Sequence, residues 1–262
     1  MSFSADWLSL REPLDHAARD RLLLDRLRAA LGGRENLRIT ELACGTGSSV
    51  RALSGVVRAR WRLVDHDPKL LAAAADACAN VPHEILQCDL AQDLATALSA
   101  PADLVNTSAF LDLVSAAWIE TLARKCAARR LPFYGALTVD GRASLTPSDP
   151  ADAAVLDAFH RHMQRDKGLG PALGPHAAEA AAAAFRRYGY VVHLARSDWQ
   201  VDPSHQDLQC GLMEGWASAA AEQDPGLATV AKAWLQRRTA LARSGGLHLM
   251  VGHLDLLALP PA

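Results

Sequence analysis

The sequence predicts an α/β fold, a seven-stranded and mostly parallel sheet with helices on both faces. Three observations carry this. Short apolar runs alternate with longer amphipathic segments between residues 37 and 139, the pattern left by parallel strands joined through right-handed helical crossovers. A glycine-rich turn, Gly45-Thr46-Gly47, falls between the first run and the first long helix. Acidic residues, Asp65 and Asp89, then end the next two runs.

Taken in order, residues 14–31 read as one helix with leucines on one face and Gly32-Gly33 as its stop. Five strands are expected at 37–43, 61–64, 84–88, 103–107 and 133–139, with helices from about Ser48, after Pro68, and through Trp118 to Arg130. After Gly141 the rhythm changes. Residues 142–176 hold Pro147, Pro150, Pro171 and Pro175 around one helix at about 151–166, too long a stretch for a plain connection. A helix resumes at 177–187 and a sixth strand follows at 190–195. A second insertion, 197–246, contains two helices split near Asp224-Pro225-Gly226, and 247–257 closes the chain as the last strand. No internal repeat or linker divides the chain. The expected organisation is therefore a single domain over 1–262, with an N-terminal helical cap at 1–33 and substrate or lid insertions at 142–176 and 197–246.

Composition narrows the function. Over 262 residues the formal net charge is −2, which gives no broad electrostatic reason to bind a polyanion and argues against nucleic acid. The first residues carry no apolar signal core, and no stretch approaches the ~18 consecutive apolar residues of a membrane span. The five cysteines, Cys44, Cys78, Cys88, Cys126 and Cys210, are dispersed without a CxxC pair. That spacing predicts reduced thiols in a cytoplasmic protein and no zinc site. A monomer or homodimer is expected.

The candidate site is built from strand ends. Glycines in the turn at 41–49 let backbone approach a ligand closely, and the helix that follows favours a negative group at its start. Asp65, at the end of the second strand, suits a pair of ribose hydroxyls, and Asp89 beside Leu90 suits an exocyclic adenine amine. All these ends fall on one edge of a parallel sheet, where open α/β sheets bind ligands. A nicotinamide dehydrogenase would need a small third residue in its glycine fingerprint, but Gly45 and Gly47 are followed by Val50, which crowds helix against strand.

The series ELACGTGSS, LVDHDPKLLAAA, LQCDL and ADLVNTSAFLDLV closely resembles the motifs of class I S-adenosylmethionine-dependent methyltransferases, over about residues 37–139. The resemblance implies a Rossmann-like core, S-adenosyl-L-methionine as cofactor and methyl transfer to a small-molecule acceptor. It assigns Ala43, Gly45 and Gly47 to the methionine moiety and Glu41 to support of the turn. Asp65 would bind ribose, His66 would flank the adenosine, Asp89 with Leu90 would hold adenine, and the Asn106 backbone would lie near the sulfonium. Arg19 would meet the cofactor carboxylate, with a helical salt bridge to Asp15 as its other reading. Two departures stand out. Ala43 occupies a position where the family often has glycine, and Asn106-Thr107-Ser108-Ala109 lacks the Asn/Asp-Pro-Pro-aromatic motif of enzymes that methylate nucleobase or glutamine nitrogens.

The acceptor side is less determined. His162 and Asp166 are spaced i,i+4, so on a continuous helix they share a face and make a candidate proton acceptor. Tyr134 faces either the cleft or the core, and Trp199 either stacks on a flat acceptor or packs internally. The 142–176 insertion follows strand five and is expected to reach only the methyl side. The alternatives to a small-molecule enzyme are a protein or RNA methyltransferase, or a non-catalytic S-adenosylmethionine-binding protein of the same fold.

Overall fold

The computed structural model describes residues 3–261. The expected helix at 14–31 is two helices, α1 (Ala5–Ala18) and α2 (Arg21–Ala30). Ser4 starts α1 by accepting from the Trp7 N–H at 3.1 Å. The break lies at Arg19-Asp20 because Asp20 caps the second helix, its carboxylate accepting from the Leu23 N–H at 2.7 Å. Arg19 takes an extended backbone there (φ −57°, ψ 135°), which turns its side chain into the protein.

The alternating segment keeps the expected order, with strand boundaries within a residue or two except at the end of the fifth strand, and with one short added helix, Leu94–Ala97. It runs β1 (Leu37–Leu42), α3 (Ser48–Leu53), β2 (Ala59–Asp65), α4 (Pro68–Ala77), β3 (His83–Gln87), a single turn α5 (Leu94–Ala97), β4 (Leu104–Ser108), α6 (Ala116–Ala128) and β5 (Phe133–Thr146). Then come α7 (Asp152–Met163), α8 (Ala177–Arg187), β6 (Val191–Arg196), β7 (Trp199–Val201), α9 (Gln206–Gln223), α10 (Ala228–Arg243) and β8 (His248–Leu259). The strand order is β3-β2-β1-β4-β5-β8-β6, with β7 also paired to β8. Among the described residues eight strands form the sheet rather than seven, because Trp199-Gln200-Val201 adds a short strand beside β8. Strands β1 to β5 are parallel, whereas β8 runs antiparallel to β5, β6 and β7. The order reverses between β1 and β4, which opens a crevice at their carboxyl ends.

Each face of the sheet buries its own core. Leu23, Leu27, Ile39, Val50 and Trp61 fill one. Leu42, Val105, Leu122 and the stacked Phe133–Phe185 pair, 4.9 Å between ring centroids, fill the other. A third core sits beyond the sheet. β5 runs past Gly141 to Thr146 through two register shifts against β8, so the first residues of the expected 142–176 insertion are strand. On this extension α1, α7, α9 and α10 pack around Trp199, Met213, Trp216 and Trp234. No helix among the described residues is long and apolar enough to cross a membrane.

The insertions are tied together by charge. Arg238, 2% exposed, pairs with Asp152 and donates to the Pro147 carbonyl at 2.6 Å. Trp234 Nε1 reaches the same carboxylate at 2.7 Å. Asp152→Ala leaves that guanidinium buried without its counter-ion. The expected cost is about 2 kcal/mol of stability, measured by urea denaturation.

Candidate active-site cleft

After β1 the chain turns through three left-handed residues, Ala43 (φ 53°), Gly45 (φ 54°) and Gly47 (φ 78°). Gly47 must be glycine on two counts, since an added Cβ would also stand 2.7 Å from Cys78 Sγ. Ala43 adopts the same region with a Cβ, a strain of about 1 kcal/mol. The turn is held by the end of β2. Asp65, 5% exposed, accepts from the Gly45 N–H at 2.9 Å and from the Asp67 N–H at 3.1 Å. His66 is half exposed, its Nδ1 3.3 Å from Asp65.

A cleft opens above this turn, walled by Glu41, Ala43, Gly45, Ser49, Asp65 and His66. Its far wall comes from α1, through Leu8, Arg11 and Asp15, and from Ser108, Ala109, Phe110 and Leu113 after β4. An adjoining hollow continues past Asp65 and His66 to Asp89 and Leu90. Asp89 is exposed and accepts from the Ala91 N–H at 2.9 Å, and the Leu90 carbonyl accepts from Trp118 Nε1 at 2.8 Å. Residues 167–169 form the lip of this hollow. The 142–176 insertion therefore reaches the Asp89–Leu90 end, contrary to the expectation that it could touch only the other side. Backbone hydrogen bonds from Ser115 N–H to the Leu169 carbonyl (3.3 Å) and from Leu173 N–H to the Val114 carbonyl (2.9 Å) hold it there.

Beneath the cleft lies a buried polar cluster. Arg19 is 4% exposed, and its Nη2 donates to Ser49 Oγ at 3.3 Å and Ser108 Oγ at 3.2 Å. Its Nε and Nη1 are buried with no hydrogen-bond partner. Asp15 is not its mate, because that carboxylate binds Arg11 at 2.9 and 3.1 Å. Glu41 accepts from the Asn106 amide. Burial pushes the Glu41 carboxyl up to about 7, against the hydrogen bonds from Asn106 and Ser49 and the field of Arg19. Between the ordinary carboxylate range and pH 7 the folded chain then keeps a proton that the unfolded chain has lost. Stability falls as pH rises through that window and levels off above it. Asp112, pushed up to about 6 by burial, adds a smaller slope of the same sign. Glu41→Gln is expected to remove roughly 2–3 kcal/mol of the wild-type decline, read from denaturation midpoints at about pH 5 and pH 8.

Several sequence assignments fall elsewhere. Asn106 is fully buried within β4, and the strand end facing the cleft is Ser108-Ala109, two residues later. Tyr134 is fully buried in the sheet–helix core, its hydroxyl donating to Asp255 at 2.9 Å. α7 ends at Met163, so His162 and Asp166 do not share a helix face. His162 meets Glu222 of α9 at 3.1 Å, and Asp166 is exposed and accepts from the Gly168 N–H at 2.7 Å. Neither lines the cleft or the adjoining hollow. Trp199 is buried, with Nε1 on Asp15 at 3.1 Å and the Arg11 guanidinium 4.8 Å from its ring centroid, so it packs internally. Sequence reasoning missed Ser49, Ser108 and Arg11, whose places depend on packing between distant segments.

The strand order, the antiparallel β8 and the crevice between β1 and β4 make a Rossmann-like α/β fold. No family model matches the sequence, and no curated protein matches it. Among solved structures the chain is similar to a cyclopropane synthase from Mycobacterium tuberculosis, with a TM-score of 0.52 and 13% identity over 98% of this chain and 94% of that one. It is also similar to a mycolic acid cyclopropane synthase complexed with SAH and CTAB, with a TM-score of 0.50 and 12% identity over 91% of this chain and 83% of that one.

Proposed function

We propose that the chain is a class I S-adenosylmethionine-dependent methyltransferase acting on a small-molecule acceptor. The observation that carries the reading is Arg19, a buried cation with two unpartnered donors behind Ser49 and Ser108 of the cleft wall. Buried charge of this kind is costly unless a counter-ion completes it, and the methionine carboxylate of the cofactor is an anion of the right chemistry. Ala43, Gly45 and Gly47 would cradle the methionine part, with Glu41 supporting the turn. Asp65 would take the ribose hydroxyls, His66 would flank the adenosine, and Asp89 and Leu90 would hold the adenine. S-adenosylmethionine supplies, when bound, a methyl carbon already made electrophilic by its sulfonium. The chain's own task is to align the acceptor and exclude water, for which α1 on one side and residues 167–169 on the other provide walls. This enclosure favours a small acceptor over a protein or RNA, as does the absence of a basic surplus.

Calorimetry with S-adenosylmethionine and S-adenosylhomocysteine tests the cofactor, and folded protein that binds neither would end the reading. Incubating cell extract with a radiolabelled methyl donor tests the acceptor. Label is expected in the small-molecule fraction, and label confined to macromolecules overturns that part.

A further inference from the structure

We infer that an extended acidic segment of a partner protein docks on the end of the sheet opposite the cleft, along a stripe of arginines that joins two recesses. One recess is walled by strand residues with Ala100 and Pro101, and holds Arg38, Arg60 and Arg62 against a single acid, Glu84. It is open because α5, on the connection from β3 to β4, is a single turn. Its four residues span ~6 Å, whereas the five of β3 span ~16 Å. The part of this sheet face nearest the strand starts is left bare. There Arg38 and Arg60 are register neighbours on β1 and β2. Like charges set side by side on one face cost stability, and an anion lying between them removes that cost.

The other recess holds Arg28, Arg34 and Arg58 against Glu35. Leu31 and Val57, which line it, belong to the core on one face of the sheet, whereas Arg38 shares its side of β1 with Leu42 and the opposite core. Asp103 links the two recesses, taking Arg34 at 3.1 Å and Arg38 at 3.5 Å. The acids fall short of the cations. Arg58 and Glu35 stand 3.9 Å apart and are 86% and 76% exposed, so they pair weakly. Arg28 donates to the Gly55 and Val56 carbonyls rather than to an acid. The Arg60 side chain has no ion pair or hydrogen bond among the described residues. Six arginines thus face three acids on a chain whose formal net charge is −2, and the surplus is local to this end.

Shape and chemistry select the occupant. The stripe passes from one face of the sheet to the other around the start of β1, a corner that a flat bilayer cannot follow and an extended chain can. The one aromatic residue lining either recess, Trp61, is 2% exposed, which gives bases no platform to stack on. Guanidinium forks match carboxylates through paired hydrogen bonds, so glutamate and aspartate side chains on an extended segment suit both recesses. The starts of β1 and β2 lie at the other end of the strands from Glu41 and Asp65, and docking there leaves the cleft open.

The test follows fluorescein-labelled decaglutamate by anisotropy on the full chain at low and high monovalent salt. Wild type is expected to bind at low salt and to lose about tenfold in affinity at high salt. Arg60→Glu and Arg58→Glu, one in each recess, should each weaken binding about fivefold or more, and together about 25-fold or more. Both side chains are exposed, so unfolding midpoints should hold. Should a reversal unfold the chain, Arg60→Gln and Arg58→Gln are read for a smaller loss, about twofold each. Arg243→Glu makes the same change of charge at the exposed end of α10 and should bind as wild type does. No binding of decaglutamate by wild type, binding that survives either reversal, or an equal loss in Arg243→Glu overturns the inference. So does tighter binding of decauridylate or of phosphatidylserine vesicles than of the peptide, which would give the stripe to nucleic acid or to a membrane.

Discussion

Arg19→Met is expected to weaken S-adenosylhomocysteine binding by roughly 100-fold or more while changing the stability of the chain by little. The two halves have one cause. The Arg19 guanidinium is 4% exposed, with two serine hydroxyls as its hydrogen-bond acceptors and its Nε and Nη1 without hydrogen-bond partners. Burial pulls its pKa down, but Tyr134, whose ring centroid lies 5.9 Å from the guanidinium, followed by Asp255 and Glu41, holds it above the ordinary arginine value; Asp255 is already occupied by Tyr134 and the Leu137 amide. Desolvating a cation to this degree costs several kcal/mol, which these interactions offset, and methionine fills similar volume without either. Binding tips the balance. A carboxylate meeting the free donors forms a desolvated charge pair, and removing one side of such a pair costs about 2–5 kcal/mol. Calorimetry and urea denaturation on the same preparation read both. A variant that binds normally and loses stability would make Arg19 a structural residue and would remove the main support for the cofactor assignment.

What the sequence disclosed, and what it hid, follows from how local each feature is. The glycine turn and the acids at 65 and 89 were legible because each sits at a strand end, and strand ends of a parallel sheet share one edge. The break after α1 had a local signal too, Asp20 ahead of Arg-Leu-Leu-Leu, but the leucine periodicity spanning 14–31 outweighed it. The His162–Asp166 pair failed for a local reason, since Asp166 accepts from the Gly168 amide and so belongs to a turn rather than to α7. The partner of His162, Glu222, stands 60 residues away on α9, a contact no spacing rule reaches. Asp112 reads as an ordinary polar residue in the sequence. Its burial is created by the helices and turns that close over the end of β4. β7 is three residues long, too short for alternation to show.

Replacing Asp65 with alanine is the second large effect, and its signature differs from that of Arg19. Here both stability and affinity are expected to fall. The Asp65 carboxylate already works within the fold, where Oδ2 accepts from the Gly45 amide at 2.9 Å and Oδ1 from the Asp67 amide at 3.1 Å. Hydrogen bonds to a charged acceptor are worth about 1.5–3 kcal/mol each at most, so unfolding should become easier by about 2 kcal/mol. Each carboxylate oxygen has further lone-pair capacity, and the residue lines both the cleft and the adjoining hollow. Ribose hydroxyls donating there would add bonds of the same kind, and their loss, with a loosened glycine turn, should weaken S-adenosylhomocysteine binding by roughly 30- to 100-fold. Asp65→Asn separates the two contributions. Its carbonyl oxygen can still accept from one backbone amide and keep part of the stability, but the charge that would strengthen two hydroxyl bonds is gone. Most of the affinity loss should therefore persist in Asp65→Asn while stability partly recovers. If affinity and stability recover together, Asp65 only props the turn and the ribose lies elsewhere.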